Sequence, residues 1–160
     1  MIDLTDRKIL ALLQEDAGLS VSDVAERVGM SAPPCWRRIR RLKDEGFLDR
    51  QVWLAAPEKL DLGLLVYATV KLAAHDRKAT SAFRENVAKL PEILECYVLL
   101  GGIDVLIKVR VPDIKYYETF FYDRLSQLPG VREVNSSVVL TQVKNTTALP
   151  THLSARKSGE

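Results

Sequence analysis

Between Cys35 and Lys43 lie five basic side chains, Arg37, Arg38, Arg40, Arg41 and Lys43, and no acidic one. Residues 1–60 as a whole carry ten basic and ten acidic side chains, so the positive charge is focused on one short segment. Such focusing suits local contact with a polyanion better than a general polycation does. On a helix stepping about 100° per residue, Cys35, Ile39 and Leu42 share one side, and Arg37, Arg40 and Arg41 point away from it. Trp36 falls on the flank, and Arg38 can reach back to phosphates or pair with an acid. Arginine suits DNA because its planar fork takes guanine O6 and N7 together, or a phosphate elsewhere. A solvated basic face would carry the same charges, so the neighbouring elements decide between the two readings.

Those elements are legible in the caps. Ile9, Leu10, Leu12 and Leu13 have helical spacing within residues 6–16, and Gly18 ends the pattern. Ser20 is an N-cap with Asp23 at the capping-box position, and Leu19 and Val24 sit as a hydrophobic staple. Val21, Val24, Ala25 and Val28 form the apolar stripe of a second helix, followed by Gly29 at a left-handed terminus. Ser31 opens a third helix expected from about Ala32 to Glu45, its first turn tolerating Pro33 and Pro34. Two helices joined by a short glycine turn predict a helix-turn-helix, whose second helix enters the major groove. Ala32, Pro33, Trp36 and Arg37 are then expected on the groove floor, with Ser31 at the cap. Arg38, Arg40 and Arg41 are expected on phosphates. Phe47–Leu54 alternates apolar and polar residues and reads as a strand or short wing.

Residues 55–63, with Pro57 and Gly63, read as a linker between a DNA-binding domain (1–54) and a second domain (64–150). In the latter, Leu64–Leu72, Ile93–Leu100, Val105–Val111 and Val131–Val143 read as strands. Thr80–Leu90 carries Phe83, Val87 and Leu90 at helical spacing. Asp113 caps another helix with Ile114, Tyr117, Phe121, Leu125 and Leu128 facing inward. Leu90-Pro91-Glu92-Ile93 and Leu128-Pro129-Gly130-Val131 echo one another 38 residues apart, so two related halves are expected. The fold class is α+β: a three-helix winged helix-turn-helix plus a ferredoxin-like βαββαβ domain. One face of that sheet lacks helices, and Tyr67, Tyr97 and Leu99 are expected there under the cover of a second subunit.

Other classes fit poorly. Val105–Val111 lacks the aromatic residues of an RNA-recognition strand. The basic stretch His75-Asp76-Arg77-Lys78 has no glycine for an acyl-phosphatase anion loop. Cys35 and Cys96 have no metal-ligand or disulfide spacing, and His75 and His152 read as surface residues. No apolar run reaches the ~18–20 residues of a membrane span. Acidic residues stand where a signal peptide would be basic, so a cytoplasmic protein is expected. No catalytic or metal site and no cofactor is expected. The tail, 151–160, is polar and reads as disordered.

The run Ser31-Ala32-Pro33-Pro34-Cys35-Trp36-Arg37-Arg38-Ile39-Arg40-Arg41-Leu42, with Gly46-Phe47-Leu48 after it, resembles the recognition helix of the leucine-responsive regulator/AsnC family. Gly101-Gly102-Ile103-Asp104 matches that family's G-x-x-D turn, and Ser136-Ser137 and Thr146-Thr147-Ala148-Leu149-Pro150 also fit. The resemblance covers about residues 2–150. It implies a transcription regulator of double-stranded DNA, dimeric through its sheets and assembling to tetramers or octamers. It also implies an amino-acid effector near the G-x-x-D turn. Carried over, Gly101 and Gly102 admit the effector carboxylate to backbone amides, Asp104 takes its ammonium, and Ser136 and Ser137 add polar contacts. Ile103 stands where many relatives have an aromatic residue. The alternative is an architectural protein that organises DNA without a ligand.

Overall fold

The computed structural model describes residues 2–73 and 77–153. His75 and Asp76, and the tail from residue 154, lie outside the described residues. The chain divides into two compact units, one reaching to Trp53 and including the segment from Lys144, the other running from Leu54 to Val143.

In the first unit α1 (Leu4–Glu15), α2 (Val21–Val28) and α3 (Ala32–Asp44) follow in order. Helix α1 begins earlier than its apolar spacing suggests, because Asp3 caps it in a reciprocal box with Asp6. Ser20 and Asp23 do the same for α2. Ile9, Leu10, Val24, Ala25, Cys35, Ile39 and Leu42 make the shared core. Gly29 ends α2 at φ 72°, where an L side chain is unfavourable, and Met30 N–H closes the turn onto the Ala25 carbonyl at 2.9 Å. Gly29→Ala is therefore expected to destabilise this unit by about 1–2 kcal/mol. Both tryptophans, Trp36 and Trp53, lie in the unit, so a urea melt followed by tryptophan fluorescence reads it directly; an unshifted midpoint would refute the point.

No strand forms over residues 47–54. The Phe47 and Leu48 amides turn back to the Leu42 carbonyl, at 2.9 and 3.2 Å, and Trp53 is 99% exposed. Alternation alone makes no strand when no partner strand supplies its hydrogen bonds. Pro57–Leu60, in the expected linker, makes a 3-10 turn. Residues 151–153, the described part of the segment expected to be disordered, form a 3-10 turn against α1. The Gln14 amide brackets the Leu149 backbone, accepting its N–H at 2.8 Å and donating to its carbonyl at 3.3 Å. Thr151 Oγ1 donates to the Arg7 carbonyl at 3.2 Å. The compact second unit closes at Val143.

The second unit is an antiparallel sheet in the order β2-β3-β1-β4, from β1 (Leu64–Leu72), β2 (Ile93–Val98), β3 (Val105–Val111) and β4 (Val131–Val138). Strands β2 and β4 are both shorter than their apolar runs. Helices α4 (Arg77–Val87) and α5 (Ile114–Phe120) cover one face. Phe83, Val87, Tyr117, Phe120 and Leu125 pack there on Val66, Ala68, Val70, Ile107 and Val109. The expected inward set on α5 is shifted: Ile114 is 59% exposed, and Phe120 rather than Phe121 is fully buried. A π-helical turn over Phe121–Leu125, closed by Ser126 N–H on the Phe121 carbonyl at 2.9 Å, explains the shift. Its wider turn brings Phe120 and Leu125, five residues apart, to the same side.

Candidate nucleic-acid interface and ligand cavity

Helix α3 is held from behind by one buried carboxylate. Asp6 is 1% exposed. Its Oδ1 accepts from Arg38 Nη1 at 2.7 Å, and its Oδ2 from Arg41 Nη2 at 2.5 Å and from the Asp3 amide at 3.0 Å. The same Arg38 nitrogen donates to Asp3 at 2.7 Å. These bonds to Asp6 and then Asp3 push the Arg38 pKa further up, and the Asp6 backbone amide and Arg38 hold the Asp3 carboxyl below the usual carboxylate range. Arg38 thus pairs with acids, the second of its two expected fates. Arg41, expected to face away from the core, turns back onto Asp6. The wheel angle places its Cα correctly, but a side chain that long follows charge rather than the helix radius.

That leaves the outer face to Trp36, Arg37 and Arg40. Arg40 lies over the Trp36 ring, 5.4 Å from its centroid, and approaches Asp44 at 3.8 Å. Arg37 is exposed, with no ion pair or hydrogen bond among the described residues. Ser31 occupies the N-cap position but makes no side-chain cap bond. The reason is local: a capping oxygen accepts from the second or third helical amide, and here these are Pro33 and Pro34, which have no N–H. The Ser31 hydroxyl is left at the exposed end of α3, beside half-buried Ala32 and exposed Pro33.

In the second unit the loop between β2 and β3 is closed by the Leu99 amide on the Asp104 carbonyl at 2.9 Å. Gly101, at φ 154°, occupies backbone that side chains rarely adopt, whereas a Cβ on Gly102 would meet open space. Asp104 Oδ2 accepts the Leu72 amide at 2.8 Å, tying the loop to the end of β1. Gly101 and Asp104 line a cavity of about 580 Å³ against α4, walled by Phe83, Val98 and Val105. Gly102 does not line it. Neither do Ser136 and Ser137. Ser136 pairs with buried Ala68, and its Oγ meets the Tyr117 hydroxyl at 2.6 Å on the helix-covered face. Ser137 pairs with Tyr67 on the opposite face. Adjacent residues of a strand point to opposite sides, so the two hydroxyls cannot serve one pocket together.

Residues 2–49 match a family model described as winged helix-turn-helix DNA-binding. Residues 65–149 match the Lrp/AsnC ligand binding domain. The chain belongs to the Lrp/AsnC family. It is 40% identical to the DNA-binding transcriptional activator DecR of Escherichia coli over 94% of this chain and 99% of that protein. Among solved structures, an AsnC family transcriptional regulator from Agrobacterium tumefaciens superimposes with a TM-score of 0.91 at 39% identity, covering 96% of this chain and all of that one. A Neisseria meningitidis transcriptional regulator in complex with L-methionine gives 0.90 at 37% identity, covering 94% and 97%.

This Lrp/AsnC chain is therefore a DNA-binding transcriptional regulator with a ligand-binding domain, and not an enzyme. Among the described residues no helix is long and apolar enough to cross a membrane. Two residues of this regulator escaped the sequence reading. Asp6 was legible only as part of a helix start, although a D-x-x-D run opening an apolar helix is itself a capping signal. Arg84, on α4, lines the cavity from an element some seventeen residues upstream of the glycine turn, and no local signal marks it.

Proposed function

We propose that this regulator recognises a specific duplex sequence through α3 and that an amino acid bound at the Gly101–Asp104 cavity modulates it. The single observation that carries the DNA reading is Arg37, an exposed and unpaired guanidinium on a helix whose opposite side is locked to Asp6. Trp36, Arg37, Ala32 and Pro33 are the candidates for base contact. Ser31 and Arg40 are assigned to phosphates. Arg38 and Arg41 act on DNA chiefly by fixing the helix that carries the others.

The amino-acid reading draws on the Neisseria relative, solved with L-methionine, and on a cavity that pairs apolar walls with a carboxylate. Gly101 and Asp104 are the effector contacts we retain; Gly102 shapes the turn, and Ser136 braces α5 through Tyr117. The helix-free sheet face, with Tyr67 and Tyr97, is the surface for a homodimer, and dimers assemble further to tetramers or octamers. In a thermal-shift screen against the twenty amino acids, at least one is expected to raise the melting temperature, because a ligand of the native state stabilises it. The same amino acid is expected to change the affinity for the protein's own upstream DNA in a gel shift. No shift with any amino acid would remove the effector, and DNA binding without site preference would favour an architectural role.

A further inference from the structure

We infer that Arg84 is the carboxylate anchor of this cavity, so that its ligand must carry a free carboxylate; the inference rests on the effector reading above. Two charged side chains line the cavity among the described residues, Arg84 and Asp104. Asp104 spends Oδ2 on the Leu72 amide, and its Oδ1 has no partner among the described residues. Arg84 has neither an ion pair nor a hydrogen bond among the described residues. Nearby Glu85 accepts from Ser81 at 3.4 Å and makes no ion pair with Arg84. The side chain of Arg84 also borders the adjoining groove at Cys96, where its charge opposes the rise that burial causes in the thiol pKa.

The rest of the wall is mainly apolar, with Phe83, Val98 and Val105, and adds the hydroxyl-bearing Thr80 and Ser81 on α4. An exposed cation with no protein partner among the described residues and a carboxylate with a free oxygen, beside Phe83, Val98 and Val105, form the complement of a zwitterion with an apolar side chain. Backbone amides are a poorer anchor here. Gly102 lies outside the cavity, and of the turn residues that line it Leu99 already spends its amide on the Asp104 carbonyl, which leaves those of Leu100 and Gly101. An arginine supplies two parallel donors in a geometry that matches a carboxylate. Specificity then splits by element: α4 reads the carboxylate, the Gly101–Asp104 turn reads the ammonium, and β2 with β3 sets the side-chain volume.

The test is calorimetric titration of the full-length protein with L-methionine and with L-methioninamide, whose carboxylate is replaced by a neutral amide. Wild type, Arg84→Gln and Arg84→Lys are compared. Wild type is expected to bind L-methionine about 10–100-fold more tightly than Arg84→Gln does, the range for losing one hydrogen bond between charged groups. Arg84→Lys is expected to restore part of the loss. Preference for the acid over the amide is expected in wild type and in Arg84→Lys, and to vanish in Arg84→Gln, a pattern that a merely structural arginine would not produce. Equal L-methionine affinity in wild type and Arg84→Gln overturns the role of Arg84 while leaving the cavity as the effector site. Failure of wild type to bind L-methionine also overturns it; the twenty-amino-acid screen then says whether the effector reading falls as well.

Discussion

Replacing Arg38 and Arg41 together by methionine is expected to destabilise the DNA-binding unit by about 3–5 kcal/mol. The change keeps an unbranched aliphatic side chain at each position and removes the two guanidiniums. What remains is the Asp6 carboxylate, 1% exposed, with the Asp3 amide as its one hydrogen-bond partner among the described residues. A buried charge deprived of its counter-ion costs far more than an exposed one, because water cannot replace the lost partner. Asp6→Asn removes the same attraction from the other side but leaves two arginines with side chains 32% and 41% exposed, which can turn to solvent. Its cost is expected to be smaller, about 1.5–3 kcal/mol, on the scale of one hydrogen bond to a charged group. The ordering is the informative part. Urea melts followed by tryptophan fluorescence measure it, since both tryptophans belong to this unit. If the arginine pair costs no more than the ~0–1 kcal/mol of a surface ion pair, Asp6 is not the anchor of α3.

Arg37→Ala carries the second large effect, on function rather than on folding. It is expected to weaken binding to the specific site by about 1–3 kcal/mol, the worth of one good bidentate base contact, while leaving non-specific affinity nearly unchanged. Arg40→Ala is the comparator. With Arg41 engaged by Asp6, Arg40 is the remaining outward arginine assigned to the backbone, and its loss is expected to weaken all sequences alike and to reduce the salt slope by about one unit. Fluorescence anisotropy over a series of salt concentrations, on a specific and a scrambled duplex, separates the two. Parallel behaviour of the mutants would mean that Arg37 also meets a phosphate.

The comparison of these four arginines marks the boundary between what is local and what is not. Caps, glycine turns and periodicity act within about one turn of helix or one strand pair. Ser20 with Asp23, Gly29, and the alternation of Val66, Ala68 and Val70 were therefore readable along the chain, and with them the two-domain α+β plan. The focused charge of α3 was readable too. Which arginines stay free was not, because Asp6 lies 32 and 35 residues from Arg38 and Arg41 and meets them only once α1 packs on α3. The same holds for Gln14 and Leu149, 135 residues apart, which bring the chain's last described segment back to the first unit.

In the sensing unit the divide falls inside single motifs. The turn Gly101–Asp104 was visible as a motif, but strand register decided that Ser136 faces α5 and Ser137 the open side. A π-helical turn decided that Phe120 rather than Phe121 enters the core. Arg84 joined the cavity because α4 crosses the sheet beside that turn. The sequence alone determined the elements, their order and the family, since these follow from short-range backbone preferences and from motifs read in line. The tertiary structure decided which charges are spent and which remain for a ligand, since charge pairing depends on distance in space and only packing sets that distance.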